Sequence, residues 1–349
     1  MFLSSTRFCP DMDTYNVGLA GVGVMGNLHA KKLYEIEQKA KLPITFCGVF
    51  DVDDSRAKKI ASNYHTRKYD TLESLVHDVD AMIIATPTRY HEKNIEYVLS
   101  QNTHVLVEKP ITHSVESAQN VCSHYNKKEL VFMVGHIERF NPCVQELYSF
   151  LLKEHESVHT IMVQRVGSFP QRISDVGVVF DMAIHDIDIA NYLFNAKPER
   201  VYCVAQNRGK SKKHEDYAHI ILNYSDARVA NIVAHWSTAR KIRTLTALND
   251  KRAFQLNYAL QELEVLEGLT TTQPPTSWED FQVASLGLET KTRFGGEPLY
   301  REVEHFLDCV VNKKQPLVSA EQATDNLKIA QACLDSAKTQ KPRELDWHS

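Results

Sequence analysis

Residues 15–26 read YNVGLAGVGVMG, an apolar run that passes directly into a G-x-G-x-x-G motif. The run Tyr15–Ala20 predicts a buried strand, and the spacing of apolar residues in Met25–Gln38 predicts a helix. The glycines therefore lie in a turn that joins a strand to a helix, which is the context in which this motif binds a dinucleotide. We expect this stretch to begin a Rossmann domain.

Each glycine of the motif has a separate role in that turn. Gly21 permits the tight turn, Gly23 lets a pyrophosphate approach the backbone, and Gly26 allows the helix to pack closely on the strand. A phosphate bound there would face the positive end of the helix dipole. We therefore expect these glycines, with Val24 and Met25 at the start of the helix, to contact the cofactor.

An acidic residue follows the second predicted strand, Ile44–Phe50. Asp51 lies about 25 residues beyond the last glycine of the motif, close to the spacing expected for a ribose-binding carboxylate. Such a carboxylate accepts hydrogen bonds from ribose hydroxyls and repels a 2′-phosphate, which favours NAD over NADP. Asp53 and Asp54 add to the repulsion, whereas Arg56 would weaken it.

The rest of the N-terminal third alternates apolar strands with helical patterns. The predicted strands are Ala81–Ala85, His104–Val107 and Val131–Gly135, and the predicted helices are Asp53–Asn63 and Ala118–Tyr125. Strands that alternate with helices indicate βαβ units and a parallel sheet. We therefore predict a doubly wound, NAD-binding Rossmann domain over residues 14–137.

The pattern changes after residue 142, where short strands follow one another directly. The predicted strands are Thr160–Gly167, Arg200–Gln206, His219–Tyr224, Val229–His235, Ile242–Ala247, Arg252–Leu256 and Leu263–Leu266, and the predicted helices are Val144–Lys153, Phe180–Leu193, Leu299–Asn312 and Ala320–Lys338. Residues 138–349 are therefore predicted to form an α+β domain for substrate binding and oligomerisation, built on a mostly antiparallel, open sheet. Its last helices could pack back onto the Rossmann domain.

The composition is that of an ordinary globular protein. The chain has 349 residues, of which 43% are hydrophobic and 24% are charged, and its formal net charge is -4. This charge does not favour nucleic-acid binding, and no apolar run approaches the roughly 20 residues that span a bilayer. The 7 scattered cysteines lack a C-x-x-C pair, which favours reduced thiols in a cytoplasmic protein over a disulfide framework or a zinc site.

The tripeptide Glu108-Lys109-Pro110 follows the strand predicted at His104–Val107. In a doubly wound sheet the carboxyl ends of the strands face the ligand crevice, so Lys109 should lie at the cofactor on a turn braced by proline. A lysine there could hydrogen-bond a substrate hydroxyl and hold charge as hydride leaves. An isolated lysine before a proline is usually a solvated turn residue, so the flanking fold is what favours the catalytic role.

Asp181 and His185 are four residues apart on a predicted helix and should share one face. Oxidation of a secondary alcohol needs a base for the hydroxyl proton, and histidine has the best-matched intrinsic pKa. We consider His185 the base, with Asp181 orienting the substrate or tuning the histidine. A plain surface pair and a metal site are the alternatives, but no third ligand is evident, so we expect no metal. Asp186 and Asp188 are expected to be solvated or to cap the helix.

In this order along the chain, the motifs resemble those of the glucose–fructose oxidoreductase and inositol dehydrogenase family (Gfo/Idh/MocA). The resemblance runs from about Tyr15 to Lys338 and rests on the glycine motif, Asp51, Thr86-Pro87 with His91, Glu108-Lys109-Pro110 and Asp181-x-x-x-His185. It implies an NAD-dependent sugar dehydrogenase in which Lys109 and His185 carry the acid–base chemistry and Asp181 contacts the sugar. It also implies that Thr86, Pro87, His91 and Glu108 belong to the cofactor site, and that the Lys109–Pro110 bond is cis.

A narrower likeness comes from residues 135–142, GHIERFNP, and residues 181–188, DMAIHDID. Both are similar to the branch of the family that oxidises the 3-hydroxyl of UDP-N-acetylglucosamine to a ketone, which an aminotransferase then converts to an amine. The diphosphate of such a substrate would suit arginine side chains. The candidate substrate-binding residues are Arg139, Asn141, Arg165 and Arg172, with a surface or interface role for the arginines as the alternative.

Two other functions are compatible with these residues. One is a dehydrogenase of a free polyol or sugar, such as inositol or glucose. The other is a non-catalytic protein that senses NAD(H) on the same scaffold, because fold does not determine function; the intact Lys109 and His185 favour an enzyme. The open sheet would expose apolar surface, so we expect a homodimer or homotetramer.

Overall fold

The structure is a computed structural model that describes residues 14–125, 130–169, 176–209, 213–267, 277–278 and 288–347. The chain divides into two compact units. Unit 1 comprises the N-terminal residues through Gly135 and the segment Leu299–Ala320, and unit 2 comprises His136–Pro298 and the residues from Glu321 on. The segment Leu299–Ala320, predicted within the C-terminal domain, is therefore part of the N-terminal unit.

The secondary structure is numbered in chain order. The strands are β1 Tyr15–Ala20, β2 Ile44–Phe50, β3 Arg67–Lys68, β4 Ala81–Ile84, β5 His104–Glu108, β6 Phe132–Gly135, β7 Thr160–Ser168, β8 Arg200–Gln206, β9 Tyr217–Asn223, β10 Val229–His235, β11 Ser237–Leu248, β12 Arg252–Asn257, β13 Glu262–Glu267, β14 Leu288–Arg293 and β15 Arg343–Glu344. The α-helices are α1 Val24–Lys39, α2 Asp54–Asn63, α3 Leu72–His77, α4 His91–Ser100, α5 Val115–Tyr125, α6 Pro142–Lys153, α7 Ile184–Phe194, α8 Pro298–Asn312 and α9 Ala320–Thr339.

A six-stranded sheet forms the centre of unit 1 within the described residues, with the order β3-β2-β1-β4-β5-β6. Every neighbouring pair is parallel, which confirms the predicted doubly wound sheet. All residues of β4 and β6 are buried, which explains why these strands read as continuous apolar runs. The carboxyl ends of β1, β2, β4 and β5 carry the turns in which the cofactor residues were predicted.

The segment that follows α8 returns to the edge of this sheet. The backbone N–H of Val134 in β6 donates to the carbonyl of Val318 at 3.4 Å, and Met133 forms a bridge with Ser319. α8 itself buries apolar side chains, Val303 and Phe306 among them. Residues far along the chain therefore complete the core of unit 1.

A nine-stranded sheet forms the centre of unit 2 within the described residues, with the order β14-β13-β12-β11-β7-β10-β9-β8-β15. Its pairs are antiparallel, except that β7 and β10 run parallel, so the mostly antiparallel sheet is confirmed. Burial alternates along β9 and β10, so one face of the sheet packs in the core and the other is exposed.

The helix predicted over Phe180–Leu193 does not begin as a regular α-helix. Val179–Ala183 forms a π-helical turn, and the α-helix α7 follows it. Asp181 lies inside the π turn, so the regular α-helical spacing predicted between Asp181 and His185 is interrupted there. The sequence pattern does not reveal this insertion, because all residues of Met182–Ala190 except His185 are buried and no exposed stripe marks the phase of the helix.

None of the described helices combines the length and the apolar character needed to cross a bilayer.

Candidate functional site

The glycine loop is seated between the ends of two strands of unit 1. Gly21 has a φ of 84°, and a Cβ placed on it would lie 2.7 Å from the backbone nitrogen of Thr86. Its own N–H donates to the carbonyl of Phe50 at 2.8 Å. Both the positive φ and the close approach to the turn after β4 require glycine at this position.

The remaining glycines of the loop fit a bound pyrophosphate. A Cβ on Gly26 would overlap the carbonyl oxygen of Gly21, whereas a Cβ on Gly23 would meet nothing within 4 Å among the described residues. Gly23 caps α1 without a side-chain hydrogen bond, so the N-terminal backbone of α1, from Val24 and Met25, faces open space. A dinucleotide phosphate is the ligand that such a cradle accommodates.

A cavity of about 720 Å³ adjoins this loop on unit 1. Val22, Gly23 and Val24 form one side of it, and Arg56 and Lys59 of α2 lie on the other. Of these two basic side chains, Arg56 is paired with acidic residues.

Asp51 is built into the loop. Its carboxylate accepts the backbone N–H of Val22 at 2.7 Å and that of Asp53 at 2.8 Å. Arg56 lies 3.6 Å from the same carboxylate and 3.2 Å from Asp53, so its charge is shared between two acids. The nearby arginine therefore does little to weaken the preference of this site for an unphosphorylated ribose.

His91 connects the turns after β4 and β5. It is 1% exposed, its Nε2 lies 2.8 Å from the carbonyl oxygen of Thr86, and its Nδ1 lies 3.0 Å from that of Pro110. Burial lowers the pKa of His91, and a neutral ring donates only one of these hydrogen bonds. The predicted contact between His91 and the cofactor is therefore not supported by this geometry. The ring instead holds the backbone beside the exposed Pro87.

The predicted Lys109 lies at the carboxyl end of β5, half-buried and followed by the cis Lys109–Pro110 bond. Its neighbour Glu108 lies 2.8 Å from Nε2 of the buried His29. Although burial opposes ionisation, the contact with His29 holds the pKa of Glu108 below its usual range. Glu108 thus carries charge beneath the turn that presents Lys109.

Glu302 is a buried acid in this part of unit 1 that the sequence patterns did not indicate. It lies on α8, and neither carboxylate oxygen has a hydrogen-bond partner among the described residues. Burial and the charge of Glu108 raise the pKa of Glu302 well above its ordinary value. Glu302 therefore keeps its proton to a higher pH than an ordinary glutamate, and Glu108 loses its proton at a lower one.

In unit 2, a glutamate holds the start of the π turn that contains Asp181. Glu215 accepts the N–H of Val179 at 3.1 Å through its side chain and the N–H of Val178 at 3.0 Å through its carbonyl. A Cβ on Gly177 would overlap the Glu215 carboxylate, so a larger residue there would displace this carboxylate from the N–H of Val179. The position of Asp181 thus depends on a residue distant in sequence.

His185 lies in the first turn of α7 and packs against a second histidine. The rings of His136 and His185 meet edge to face, with centroids 6.4 Å apart. His136 is 1% exposed, and its Nδ1 lies 3.8 Å from the Asp188 carboxylate. His136 is therefore placed to orient the His185 ring, a role that its place in GHIERFNP did not reveal.

Two predicted substrate-binding residues are instead committed to buried ion pairs in unit 2. Arg139, 2% exposed, bonds both oxygens of Asp188 at 2.8 and 2.7 Å. Arg165, 1% exposed, bonds both oxygens of Asp186 at 2.8–3.0 Å and Glu138 at 2.8 Å. Neither a diphosphate contact nor a surface role is supported by this geometry, and the expected solvent exposure of Asp186 and Asp188 is wrong.

Asn141 caps α6, where its side chain accepts the N–H of Cys143. It also donates to the carbonyl of Tyr258 at 3.2 Å and to Glu138 at 3.1 Å. These contacts account for its 2% exposure and make it a structural residue. Arg172 lies outside the described residues.

Among the residues that the structure describes, no three His, Cys, Asp or Glu side chains form a group that could hold a metal ion.

Family models match both parts of the chain. The model of an oxidoreductase family with an NAD-binding Rossmann fold matches residues 15–136, and that of the family's C-terminal alpha/beta domain matches residues 170–345. This chain belongs to the Gfo/Idh/MocA oxidoreductase family. As a member, it is an NAD-binding oxidoreductase, in agreement with the glycine loop and Asp51.

Curated relatives include dehydrogenases of sugars and polyols. The chain is 32% identical over 293 residues to UDP-N-acetylglucosamine 3-dehydrogenase of Acidithiobacillus ferrooxidans, covering 84% of this chain and 88% of the relative. It is 25% identical to scyllo-inositol 2-dehydrogenase (NAD(+)) of Bacillus subtilis, covering 93% and 95%.

Solved structures confirm the fold. The structure of the Acidithiobacillus ferrooxidans enzyme superposes with a TM-score of 0.82 and 23% identity over 94% of this chain and 99% of that chain. Levoglucosan dehydrogenase in complex with NADH and levoglucosan superposes with a TM-score of 0.83 and 17% identity, over 95% and 99%.

Proposed function

We propose that this Gfo/Idh/MocA member oxidises a secondary hydroxyl of a nucleotide-linked amino sugar to a ketone. UDP-N-acetylglucosamine is the expected substrate and its C3 hydroxyl the expected position. The observation that carries this proposal is the 32% identity, over 84% of the chain, to a UDP-N-acetylglucosamine 3-dehydrogenase. Lys109, Asp181 and His185 supply the side-chain chemistry that the reaction requires.

The reaction removes a hydride and a proton from one CH–OH group. NAD, held by the glycine loop and Asp51, would supply the acceptor for the hydride. His185 takes the hydroxyl proton as a general base, and the Lys109 ammonium group hydrogen-bonds the same oxygen, stabilising its negative charge as the C–H bond breaks. Asp181 accepts a hydrogen bond from a neighbouring sugar hydroxyl and so orients the ring. The products are the ketone, NADH and a proton.

The surroundings of these residues support their roles. Lys109 lies at the carboxyl end of β5, next to the charged Glu108. His185 packs against the buried ring of His136, which restricts its orientation. The buried ring of His136 thus supports the proposed role of His185 as the base.

The test follows NADH absorbance when the pure protein is mixed with NAD and UDP-N-acetylglucosamine. A 3-aminotransferase is included to consume the ketone and draw the reaction forward. Lys109→Ala and His185→Ala should each lower kcat by about 10²- to 10⁴-fold. Lys93→Ala and His77→Ala, at exposed positions, serve as matched controls and should keep wild-type rates. Absence of NADH formation by a protein that still binds NAD would refute the sugar-nucleotide assignment.

A dehydrogenase of a free polyol is the second candidate. It is favoured by the similarity to scyllo-inositol 2-dehydrogenase over 93% of the chain. Comparison of kcat/KM for inositol, glucose and UDP-N-acetylglucosamine decides between the two, since the better substrate identifies the function.

The proposal includes self-association as a homodimer or homotetramer and a downstream aminotransferase as a pathway partner. Met162, Val204 and Ile221 lie on β7, β8 and β9 and are 42%, 39% and 39% exposed. A second copy of the chain would remove these apolar side chains from water. Light scattering on the purified protein measures the oligomeric state, and a monomer at micromolar concentration would contradict this part of the proposal.

A further inference from the structure

Strand β11 of unit 2 begins with a basic segment that none of the roles described above explains. Residues 237–243 read STARKIR and contain Arg240, Lys241 and Arg243. The pairing of β11 with β7 is irregular between Ser237 and Ile242 and then becomes regular, with Arg243 opposite Arg165. Two arginines therefore face each other across neighbouring strands, which is unfavourable unless negative charge compensates both.

The carboxylates near these two arginines are bonded mainly to Arg165. Arg165 bonds the Asp186 carboxylate through two nitrogens and Oε1 of Glu138 at 2.8 Å. Arg243 reaches the same Glu138 oxygen with its Nη1 only at 3.7 Å. The side chain of Arg243 is 32% exposed, and its buried Nε has no hydrogen-bond partner among the described residues. Arg243 is thus a cation whose donors are largely unused.

The electrostatic surroundings agree with this geometry. Burial and the charge of Arg165 lower the pKa of Arg243. The charge of Arg243 in turn lowers the pKa of the exposed Lys241. These directions indicate an excess of positive charge around β11, which an anionic ligand would neutralise.

A buried hydroxyl belongs to the same cluster. The OH of Tyr258 has no hydrogen-bond partner among the described residues, although the residue is 4% exposed. The N–H of Tyr258 donates to the carbonyl of Arg243 at 3.0 Å, and the Arg165 guanidinium lies 5.1 Å from the centre of its ring. Burial raises the pKa of Tyr258 well above its ordinary value, so the hydroxyl is a donor at all relevant pH values.

This cluster lies on the part of unit 2 that carries the proposed substrate-orienting residue. Arg165 lies opposite Arg243 and bonds Asp186 of α7, the residue after His185. The charge of the Asp181 carboxylate also favours the charged form of Arg243. A ligand hydrogen-bonded to Asp181 through a hydroxyl would therefore have Arg243 nearby for a charged group. A sugar that carries a phosphate offers both groups in one molecule.

We propose that Arg243, assisted by Lys241, binds phosphate oxygens of the substrate and thereby selects phosphate-bearing sugars over neutral ones. This inference rests on the proposed function for the identity of the sugar, but not for the presence of an anion site. Arginine suits the role because its planar guanidinium donates two parallel hydrogen bonds to phosphate oxygens, whereas lysine acts as a point charge. Arg165 and Arg139 then serve the structure and Arg243 the ligand.

The test measures binding and turnover separately. Calorimetric titration of the protein with UDP and with pyrophosphate gives Kd, and steady-state rates give KM and kcat for UDP-N-acetylglucosamine. Arg243→Gln should raise both Kd values and KM by about tenfold or more, since each charge-assisted hydrogen bond contributes about 1.5–3 kcal/mol. Arg243→Lys should recover part of the loss, and Lys241→Gln should show a smaller rise. Added salt should weaken binding to the wild type more than to Arg243→Gln.

Arg240→Gln is the matched control, because Arg240 is exposed on the same segment and lies outside the proposed site. This variant should leave Kd, KM and kcat unchanged. None of the variants should change the Kd for NAD. If Arg243→Gln does not fold, the comparison of Arg243→Lys and Lys241→Gln with Arg240→Gln decides the question.

The outcomes separate this inference from the proposed function. The wild type could bind UDP or pyrophosphate, with binding lost in the Arg243 variants, and yet not turn over UDP-N-acetylglucosamine. This result would support the anion site and refute the assignment of UDP-N-acetylglucosamine as the substrate. Turnover with unchanged KM in folded Arg243 and Lys241 variants would refute the anion site and leave the function standing. Failure of the wild type to bind either anion would also overturn the inference.

Discussion

Replacing Glu302 by glutamine should remove a pH-dependent loss of stability from unit 1. Glu302 is fully buried, and its two carboxylate oxygens have no hydrogen-bond partner among the described residues. Burial and the nearby charge of Glu108 raise its pKa well above the ordinary value of 4.5. The folded protein therefore keeps this carboxyl protonated at pH values where the unfolded chain has released the proton.

The sign and magnitude follow from this difference in bound protons. Below pH 4.5 both states hold the proton and Glu302 costs no ionisation energy. Between pH 4.5 and the raised pKa the unfolded state binds one proton fewer, so the free energy of unfolding falls as the pH rises. The fall is about 1.4 kcal/mol per pH unit. Glutamine has nearly the same shape and does not ionise. The free energy of unfolding of the variant should therefore rise, relative to that of the wild type, by this amount for each increase of one in pH.

Denaturant unfolding followed by far-ultraviolet circular dichroism over a range of pH values measures the effect. Tryptophan fluorescence would not report on unit 1, because Trp236, Trp278 and Trp347 all belong to unit 2. Glu304→Gln, at a partly exposed position of the same helix, should keep the pH dependence of the wild type. Parallel curves for Glu302→Gln and the wild type would refute the assignment of a protonated carboxyl at this position.

Other substitutions test the cofactor site and the buried ion pairs. Asp51→Ser should lower the preference for NAD over NADP, measured as the ratio of kcat/KM values, by about 10- to 100-fold. The reason is that a charge-assisted hydrogen bond to the ribose is lost and Arg56 becomes available to a 2′-phosphate. An unchanged ratio would contradict the ribose contact. His91→Phe should raise the Kd for NAD in a titration, because the turns after β4 and β5 lose their common partner, and an unchanged Kd would show that they hold their positions without it. Arg165→Met should lower the free energy of unfolding by about 3–5 kcal/mol, because the carboxylates of Asp186 and Glu138 would stay buried without their cationic partner. Wild-type stability combined with a raised KM would instead indicate that Arg165 binds the substrate.

The strands of unit 1 could be predicted closely because buried parallel strands are short apolar runs that end at turn residues. β1 and β2 lie at the predicted residues, and β5 extends one residue further, to include Glu108. The helices α3 and α4 were not predicted. α4 buries only Ile95, Val98 and Leu99 among its apolar side chains, a pattern too sparse to indicate a helix by periodicity.

The sequence also indicates some residues of the candidate site and not others. Lys109, Asp181 and His185 could be proposed from the sequence because each lies in a short motif next to a predicted element. Glu302 and Glu215 could not, because each acts on residues that are distant along the chain. The π turn was also missed, since the helix is buried on nearly every side and shows no apolar stripe whose phase could reveal an extra residue.

The sequence by itself determined where the Rossmann sheet begins and which cofactor it takes, because the spacing of three glycines and one aspartate encodes backbone geometry and local charge directly. Only the tertiary structure decided which cations are available to a ligand. Arg165 and Arg243 look alike in the sequence. The fold places Asp186 and Glu138 within hydrogen-bond distance of Arg165. Arg243 has only a longer contact with the Glu138 carboxylate, which Arg165 already bonds. Compensation of a buried charge depends on every neighbour in space, and folding brings those neighbours together from distant parts of the chain.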